Sequence, residues 1–146
     1  IRGAYASDCN AVSDKFNIGL LNFNCILQVT SNFITHNPDG FFIIDVDTDR
    51  NFYIQGTKYI DPEYTNLFYI EIPGPAYFQG ITPEINDQLI KQGWQLPDDT
   101  DEGNYTIFLY KDELYNGHHI NLLLEAMNLL NINKINKNIS YQISSF

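Results

Sequence analysis

The sequence predicts an α+β two-layer sandwich, in which an antiparallel sheet of about five strands carries helices on one face. Three consecutive runs rich in aromatic and β-branched residues, at 41–46, 51–56 and 67–72, predict neighbouring strands. Apolar residues at three- and four-residue spacing predict helices on either side of these runs. A short alternating segment at 93–97 and a further β-rich run at 104–110 predict two more strands. The resulting order is helix, three strands, helix, two strands, helix, which is typical of this fold class.

The three central runs are joined by segments with the chemistry of turns. The four residues Asp47-Thr48-Asp49-Arg50 separate the first two runs and favour a tight hairpin. The segment Asp61-Pro62-Glu63 lies between the second and third runs and suits a longer connection. The sequence therefore predicts an antiparallel meander, around which the other elements are arranged.

Three helices are predicted from apolar spacing and from their end signals. The first covers about 16–34 and stops at the Pro and Gly of residues 36–40. The second covers Pro83 to Gln92, because Thr82 can cap it, proline suits the first helical position and Gly93 suits its end. The third begins near His118 and ends near residue 131.

Less regular segments connect or flank these elements. Residues 93–97 alternate and predict a short strand or extended arm, and an acidic loop follows at 98–103. The tail from residue 132 either adds an edge strand at 141–143 or is loosely ordered, as are residues 1–15. No linker or internal repeat divides the chain, so its 146 residues predict a single domain.

The charge balance limits the classes of partner. The chain has 8 basic and 18 acidic residues, a formal net charge of −10 and a pI of about 4.4. Duplex nucleic acid and anionic membranes would repel such a surface, whereas a basic protein would be steered towards it. The acidity also fits a simple role in solubility. No apolar run reaches the roughly 20 residues of a membrane span, and no signal peptide is visible, so we expect a cytoplasmic protein.

Candidate catalytic groups are few. The two cysteines, Cys9 and Cys25, are expected to be unpaired thiols, with a single disulfide as the alternative. A small hydrolase would have to use Cys25 in a thiol triad or a carboxylate pair such as Glu71 and Glu84. Cys25 falls within an apolar helix stripe, where a thiol is normally inert. The Gly-x-Ser-x-Gly elbow and the phosphate-binding Gly-rich loops are absent from the sequence.

Two motifs resemble metal sites without meeting their requirements. Asp45, Asp47 and Asp49 have the spacing of a calcium loop, but that loop needs Gly where Arg50 stands and Glu where Gly56 stands. The adjacent pair 118–119 contains two histidines, which point in different directions on a helix. We therefore expect an acidic hairpin turn, a polar helix start and no metal or other cofactor.

Several local motifs resemble a known family. The pentapeptide Gly93-Trp94-Gln95-Leu96-Pro97 precedes an acidic loop and then Asn104-Tyr105, while Tyr53-Ile54-Gln55 lies on an earlier strand. This arrangement resembles the type III secretion chaperone-like TY-chap superfamily over residues 16–131. The resemblance implies an α+β fold, a bacterial source and a non-catalytic protein that binds another polypeptide. Residues 1–15 and the tail after residue 131 have no counterpart in that pattern.

The abundant tyrosines favour an interface, because tyrosine and tryptophan bury area while keeping a polar tip. We therefore predict a non-catalytic binding domain, either a chaperone-like protein that forms a homodimer or an immunity protein that neutralises a basic toxin such as a nuclease. A small hydrolase is the third hypothesis. The predicted partner-binding residues are Tyr53, Tyr69, Trp94, Pro97, Asp98, Asp99, Asp101, Glu102 and Tyr105.

Overall fold

One antiparallel sheet and a layer of helices make up the part of the chain that the structure describes. This structure is a computed structural model, and it describes residues 20–96, 103–132 and 140–145. The elements in chain order are α1 (Leu20–His36), β1 (Gly40–Asp47), β2 (Phe52–Lys58), β3 (Leu67–Ile72), α2 (Pro83–Gln92), β4 (Tyr105–Tyr110), α3 (Lys111–Tyr115), α4 (His118–Leu129) and β5 (Ser140–Ser145).

The sheet has five strands in the spatial order β4-β3-β2-β1-β5, and every neighbouring pair is antiparallel. This confirms the predicted α+β class and the predicted meander, whose strands lie within one or two residues of the expected bounds. The β1–β2 hairpin turns through Asn51, which has a positive φ of 58°. Asparagine tolerates this left-handed conformation better than most residues, so the sequence of the turn suits its geometry.

The fifth strand comes from the tail. β5 pairs with β1 from Gly40↔Ser145 to Asp45↔Ser140, so the edge strand that the tail alternation suggested is present and longer than the three residues predicted. The segment around Trp94, predicted as a strand or arm, contributes only an isolated bridge between Gln95 and Thr106. The predicted extension at residues 1–15 lies outside the described residues.

The Trp94 segment stays short because of how α2 ends. Gly93 adopts φ 111°, its N–H bonds the carbonyl of Ile90, and the N–H of Trp94 bonds the carbonyl of Leu89. These two bonds form a Schellman motif, which turns the chain sharply after the helix. The turn directs Trp94 into the core, and the chain can then pair with β4 over only one residue.

All described helices lie on one side of the sheet. The face towards them is apolar and fully buried: Phe42, Ile44, Ile54 and Ile70 are 0% exposed, and they join one core with α1 and α4. α1 packs directly on β1 and β2, and α4 packs on α1 and α2. The short α3, which was not predicted, begins where the Glu113 carboxylate accepts the backbone N–H of Tyr110 at 2.8 Å. Burial of one sheet face leaves the opposite face as the place to look for a site.

Candidate functional site: the open face of the sheet

The face of the sheet that points away from the helices is called the open face. Alternation along each strand places its side chains opposite to the core residues, and every one of them is half-buried or exposed. Its members are Phe41, Ile43 and Asp45 on β1, Tyr53, Gln55 and Thr57 on β2, Tyr69 and Glu71 on β3, Thr106 and Phe108 on β4, and Gln142 and Ser144 on β5.

A carboxylate lies at the centre of the open face. The Gln55 amide donates from Nε2 to Glu71 Oε1 at 2.7 Å, and the Thr106 hydroxyl donates to Glu71 Oε2 at 3.2 Å. Gln55, Glu71 and Thr106 are cross-strand neighbours on β2, β3 and β4, so the sheet register itself brings them together. The two hydrogen bonds hold the carboxylate in position. Because both donors are neutral, they do not neutralise its charge.

Aromatic rings gather beside Glu71. Tyr59 stands edge-on to the Phe108 ring with centroids 5.4 Å apart, and Tyr69 lies 6.2 Å from Phe108 and 6.5 Å from Tyr59. Tyr64 extends the group at 6.1 Å from Tyr59. Inclined rings at these separations attract one another, so the group forms a continuous aromatic wall.

Two adjoining hollows follow this wall across the open face. The larger, called the aromatic pocket, has a volume of about 410 Å³ and is lined by Thr57, Lys58, Tyr59, Ile60, Tyr69, Glu71, Thr106 and Phe108. The second has about 210 Å³ and extends the surface to Phe41 and Ile43. The two hollows share Thr57, Tyr69 and Glu71, so a single extended ligand can occupy both.

Tyr53 and Tyr69, two predicted partner-binding residues, lie on the open face. The Tyr53 hydroxyl donates to Asn104 Oδ1 at 2.7 Å, and burial raises its pKa, with Tyr77 adding to the effect. Burial also raises the pKa of Tyr69, and the negative charge of Glu71 raises it further. Both hydroxyls therefore stay protonated at neutral pH and act as hydrogen-bonding groups.

Trp94 and Tyr105 were predicted to contact a partner, and the structure corrects this. Their side chains are 1% and 0% exposed, within the core. Tyr105 shares the buried side of β4 with Ile107, and its hydroxyl donates to Asn86 Oδ1 on α2 at 2.6 Å. Burial raises its pKa. Both residues join α2 to β4, which is a structural role.

The remaining predicted partner-binding residues belong to the acidic loop and to the proline before it. Pro97, Asp98, Asp99, Asp101 and Glu102 lie outside the described residues. Of the predicted set, the structure therefore brings only Tyr53 and Tyr69 onto one surface.

Cys25 differs from its predicted state. It was expected to be an unpaired thiol, and it is instead disulfide-bonded and fully buried on α1. The other cysteine of the chain, Cys9, lies outside the described residues. A sulfur in a disulfide is not a thiolate nucleophile, so the hypothesis of a hydrolase that uses Cys25 loses its catalytic group.

His119 forms a polar pair that the sequence analysis missed. Its Nε2 lies 2.7 Å from the hydroxyl of Ser31, which itself donates to the Leu27 carbonyl at 2.6 Å, so Nε2 carries the proton. Burial lowers the pKa of His119 to about 4, and the neighbouring His118 also lowers it. Because Nε2 donates to Ser31, it cannot take the serine proton as a catalytic base would, and both side chains are 0% exposed in the folded core.

The acidic hairpin shows the geometry of a turn. Asp47 Oδ1 accepts the backbone N–H of Arg50 at 3.2 Å, and the pairing of β1 with β2 is irregular between Asp45 and Asp47. Across residues 20–96, 103–132 and 140–145, no three His, Cys, Asp or Glu side chains are grouped so that they could hold a metal ion.

A helix that crosses a membrane must be long and predominantly apolar, and the described helices can be compared with this requirement. None of them combines the length and the apolar character that a membrane crossing requires.

Comparison with known proteins identifies no relative of this chain. No family model matches the chain, and neither the curated proteins nor the solved structures contain a match to it.

Proposed function

We propose that this protein is a non-catalytic binding domain that holds another polypeptide on the open face of its sheet. One observation carries the proposal: within the described residues no helix packs on this face, although it presents half-buried aromatic and apolar side chains such as Phe41, Ile43 and Phe108. Apolar surface in this position gains free energy when a partner removes it from water.

The composition of the open face supports a protein partner. Aromatic residues carry much of the binding energy at protein interfaces, and the open face combines them with amide, hydroxyl and carboxylate groups that fix orientation. The hollows are shallow and lie next to each other, which suits a strand or loop lying across the sheet. Tyr69 and Glu71 line both hollows and would lie at the centre of such an interface.

A chaperone-like role is the first form of this proposal. Its support is the resemblance of the Gly93–Pro97, Asn104-Tyr105 and Tyr53–Gln55 motifs to the TY-chap superfamily, together with the α+β fold. A fold alone does not determine function, and Trp94 and Tyr105 have structural roles here. In this form the protein holds a secretion or signalling partner and forms a homodimer.

An immunity protein that neutralises a basic toxin is the second form, and the charge favours it. The net charge is −10, and the open face has Glu71 at its centre, held by neutral donors. Such a surface attracts a cationic partner and accelerates its association. Association that slows steeply as salt rises would distinguish this form, because salt screens charge attraction but has little effect on apolar burial.

The compartment is a separate proposal. The sequence analysis expects the cytoplasm, but the disulfide-bonded Cys25 favours an oxidising compartment, since cytosolic thiols are kept reduced. We therefore propose that the protein works in an oxidising compartment. Blocking free thiols during lysis of the source cells, followed by intact-mass measurement, tests this: two blocked cysteines would restore the cytoplasmic expectation.

The partner experiment uses two matched variants. Ile43→Glu introduces a charge on the open face, and Ile90→Glu introduces the same charge on α2, where Ile90 is 41% exposed. Each variant, and the unaltered chain, is used to capture proteins from extracts of the source organism, and the partner is identified by mass spectrometry. We expect one partner that the unaltered chain and Ile90→Glu bind and that Ile43→Glu loses.

A partner that Ile43→Glu still binds as tightly as Ile90→Glu does would refute docking at the open face. Both variants must first show the circular dichroism spectrum and the urea midpoint of a folded chain. The identity of the captured partner then separates the two forms: a cationic toxin supports the immunity role, and a secreted protein supports the chaperone-like role.

A further inference from the structure

The aromatic pocket combines a wall of rings with a carboxylate at its side. Phe108, Tyr59 and Tyr69 contact one another along the wall, and Ile60, which is 80% exposed, lies at the rim. Glu71 lines the same pocket. A pocket of about 410 Å³ is large enough for one long side chain together with part of its backbone.

The hydrogen bonds of Glu71 leave it able to bind a further donor. An ionised carboxylate has about four lone-pair positions, and the donors Gln55 and Thr106 occupy one on each oxygen. The remaining positions are available to a ligand that enters the pocket. Lys58 also lines the pocket, but the hydrogen bonds that hold Glu71 come from neutral groups, so its charge lacks a bonded cation among the described residues.

We propose that the aromatic pocket binds an arginine side chain of the partner polypeptide, with Glu71 as its counter-ion and the Tyr69–Phe108 wall as its stacking surface. The proposal rests on the proposed function, because it names the chemistry by which the open face recognises its partner. The net charge of −10 supports a cationic occupant, which the whole chain attracts before the local contacts form.

Arginine fits this pocket better than lysine does. The guanidinium is planar and stacks on aromatic rings, and its fork of donors matches the two oxygens of a carboxylate. An ammonium group is a strongly hydrated point charge, which loses more hydration when it enters an aromatic site. The aliphatic stem of arginine also packs against the rings while its head reaches Glu71.

The test uses small probes on the full chain. N-acetyl-arginine methylamide is titrated into the labelled protein, and backbone amide shifts are followed by NMR. N-acetyl-citrulline methylamide is the matched control, because it keeps the shape of arginine and lacks its charge. The lysine derivative is the second control. We expect the arginine probe to shift the amides of Tyr69, Glu71, Thr106 and Phe108, with millimolar affinity and about tenfold tighter binding than the citrulline probe.

Two variants assign the binding to Glu71. Glu71→Gln removes the charge and keeps an oxygen for the Gln55 amide, while Asp45→Asn makes the same change in net charge elsewhere on the open face. We expect Glu71→Gln to weaken the arginine probe about tenfold and Asp45→Asn to weaken it less than about twofold. Citrulline or lysine probes that bind as tightly as arginine, or equal effects of the two variants, would overturn the arginine assignment.

The same variants separate this inference from the proposed function. If Ile43→Glu abolishes binding of the captured partner and Glu71→Gln leaves it unchanged, the arginine site is overturned and the open-face interface is supported. If the arginine probe binds at Glu71 but the captured partner binds Ile43→Glu as tightly as the unaltered chain, the arginine site is supported and the open-face interface is refuted.

Discussion

Phe41 and Phe42 are consecutive residues of β1, and they face opposite sides of the same sheet. Phe42 is 0% exposed in a core made with α1, and Phe41 is half-buried on the open face. The packed face consists of apolar side chains. The open face mixes aromatic residues with Glu71 and its two hydrogen-bond donors, Gln55 and Thr106. The same strands therefore carry two kinds of chemistry.

The difference indicates where stability comes from and where binding is available. Interiors are close-packed, so the packed face depends on the volume of each side chain. The open face keeps contact with water, and polar side chains on β2, β3 and β4 hydrogen-bond across its strands. We therefore expect substitutions on the packed face to change the free energy of unfolding and those on the open face to change binding.

The largest expected difference is between alanine substitutions at the two phenylalanines. Phe42→Ala leaves a cavity in the core and should lower the free energy of unfolding by about 3–5 kcal/mol. Phe41→Ala, in the preceding position of the same strand, should lower it by about 1 kcal/mol, because less of the Phe41 side chain is buried. Urea unfolding followed by circular dichroism measures both, and equal losses would contradict the contrast between the faces.

The contact of Phe42 with Gly56 provides the next test. A Cβ at Gly56 would lie 2.6 Å from Phe42 Cε2 and 3.2 Å from the carbonyl oxygen of Tyr69. Gly56→Ala should therefore cost about 1–3 kcal/mol by overpacking. Phe42→Leu removes the ring atoms that would clash, so the double variant should lose less than the sum of the two single losses. If the losses of unfolding free energy of the two single variants simply add up in the double variant, the Phe42 ring is not what excludes a larger side chain at Gly56.

His119 makes the helix layer sensitive to pH. Its pKa is about 4 in the folded state and about 6.5 in an unfolded chain, so protonation favours unfolding. The stability from neutral His119 is complete above pH 6.5 and is lost as pH falls towards 4, with a loss of about 2 kcal/mol between pH 7.5 and 5.0. His119→Gln should remove this part of the pH dependence.

The measurement is the free energy of unfolding at those two pH values for the unaltered chain and for two variants. His36→Gln is the matched control, because His36 is exposed on α1. A pH dependence that His119→Gln leaves unchanged would contradict the assignment to this residue.

The smallest expected effect is at Tyr53 on the open face. Tyr53→Phe removes the hydroxyl that donates to Asn104 at 2.7 Å. Because water can replace the lost partner at a half-buried position, the cost should be about 0.5–1 kcal/mol. Urea unfolding measures it, and a loss comparable to that of Phe42→Ala would show that the open face also determines stability.

The sequence predicted the elements of this fold because its local signals agree with one another. Thr82, Pro83 and Gly93 bound α2 where the structure has it, and the β-rich runs at 51–56 and 67–72 coincide with β2 and β3 within two residues. Two misassignments came from signals that were present. Tyr105 alternates with Ile107 and Leu109, and His119 precedes Leu123, Ala126 and Met127 by helical spacing, so both patterns indicated burial.

The candidate site was less predictable. Gln55, Glu71 and Thr106 meet only because β2, β3 and β4 pair in one register, and a sequence alone does not fix the register between strands. Trp94 was misassigned for another reason: large aromatic residues serve interfaces and cores equally well. Gly93 was recognised as the end of the helix. The direction in which the chain leaves the helix depends on the bond from the Trp94 N–H to the Leu89 carbonyl, and this bond directs Trp94 inward.

The pairing of β1 with β5 has a consequence for biosynthesis. Gly40 pairs with Ser145, more than a hundred residues later, whereas β2 and β3 follow β1 closely. At about 5–20 residues per second, a ribosome needs roughly 5–20 s to make the segment between these partners. During that interval the nascent meander presents an unsatisfied row of backbone amides and carbonyls, which invites premature association with other chains.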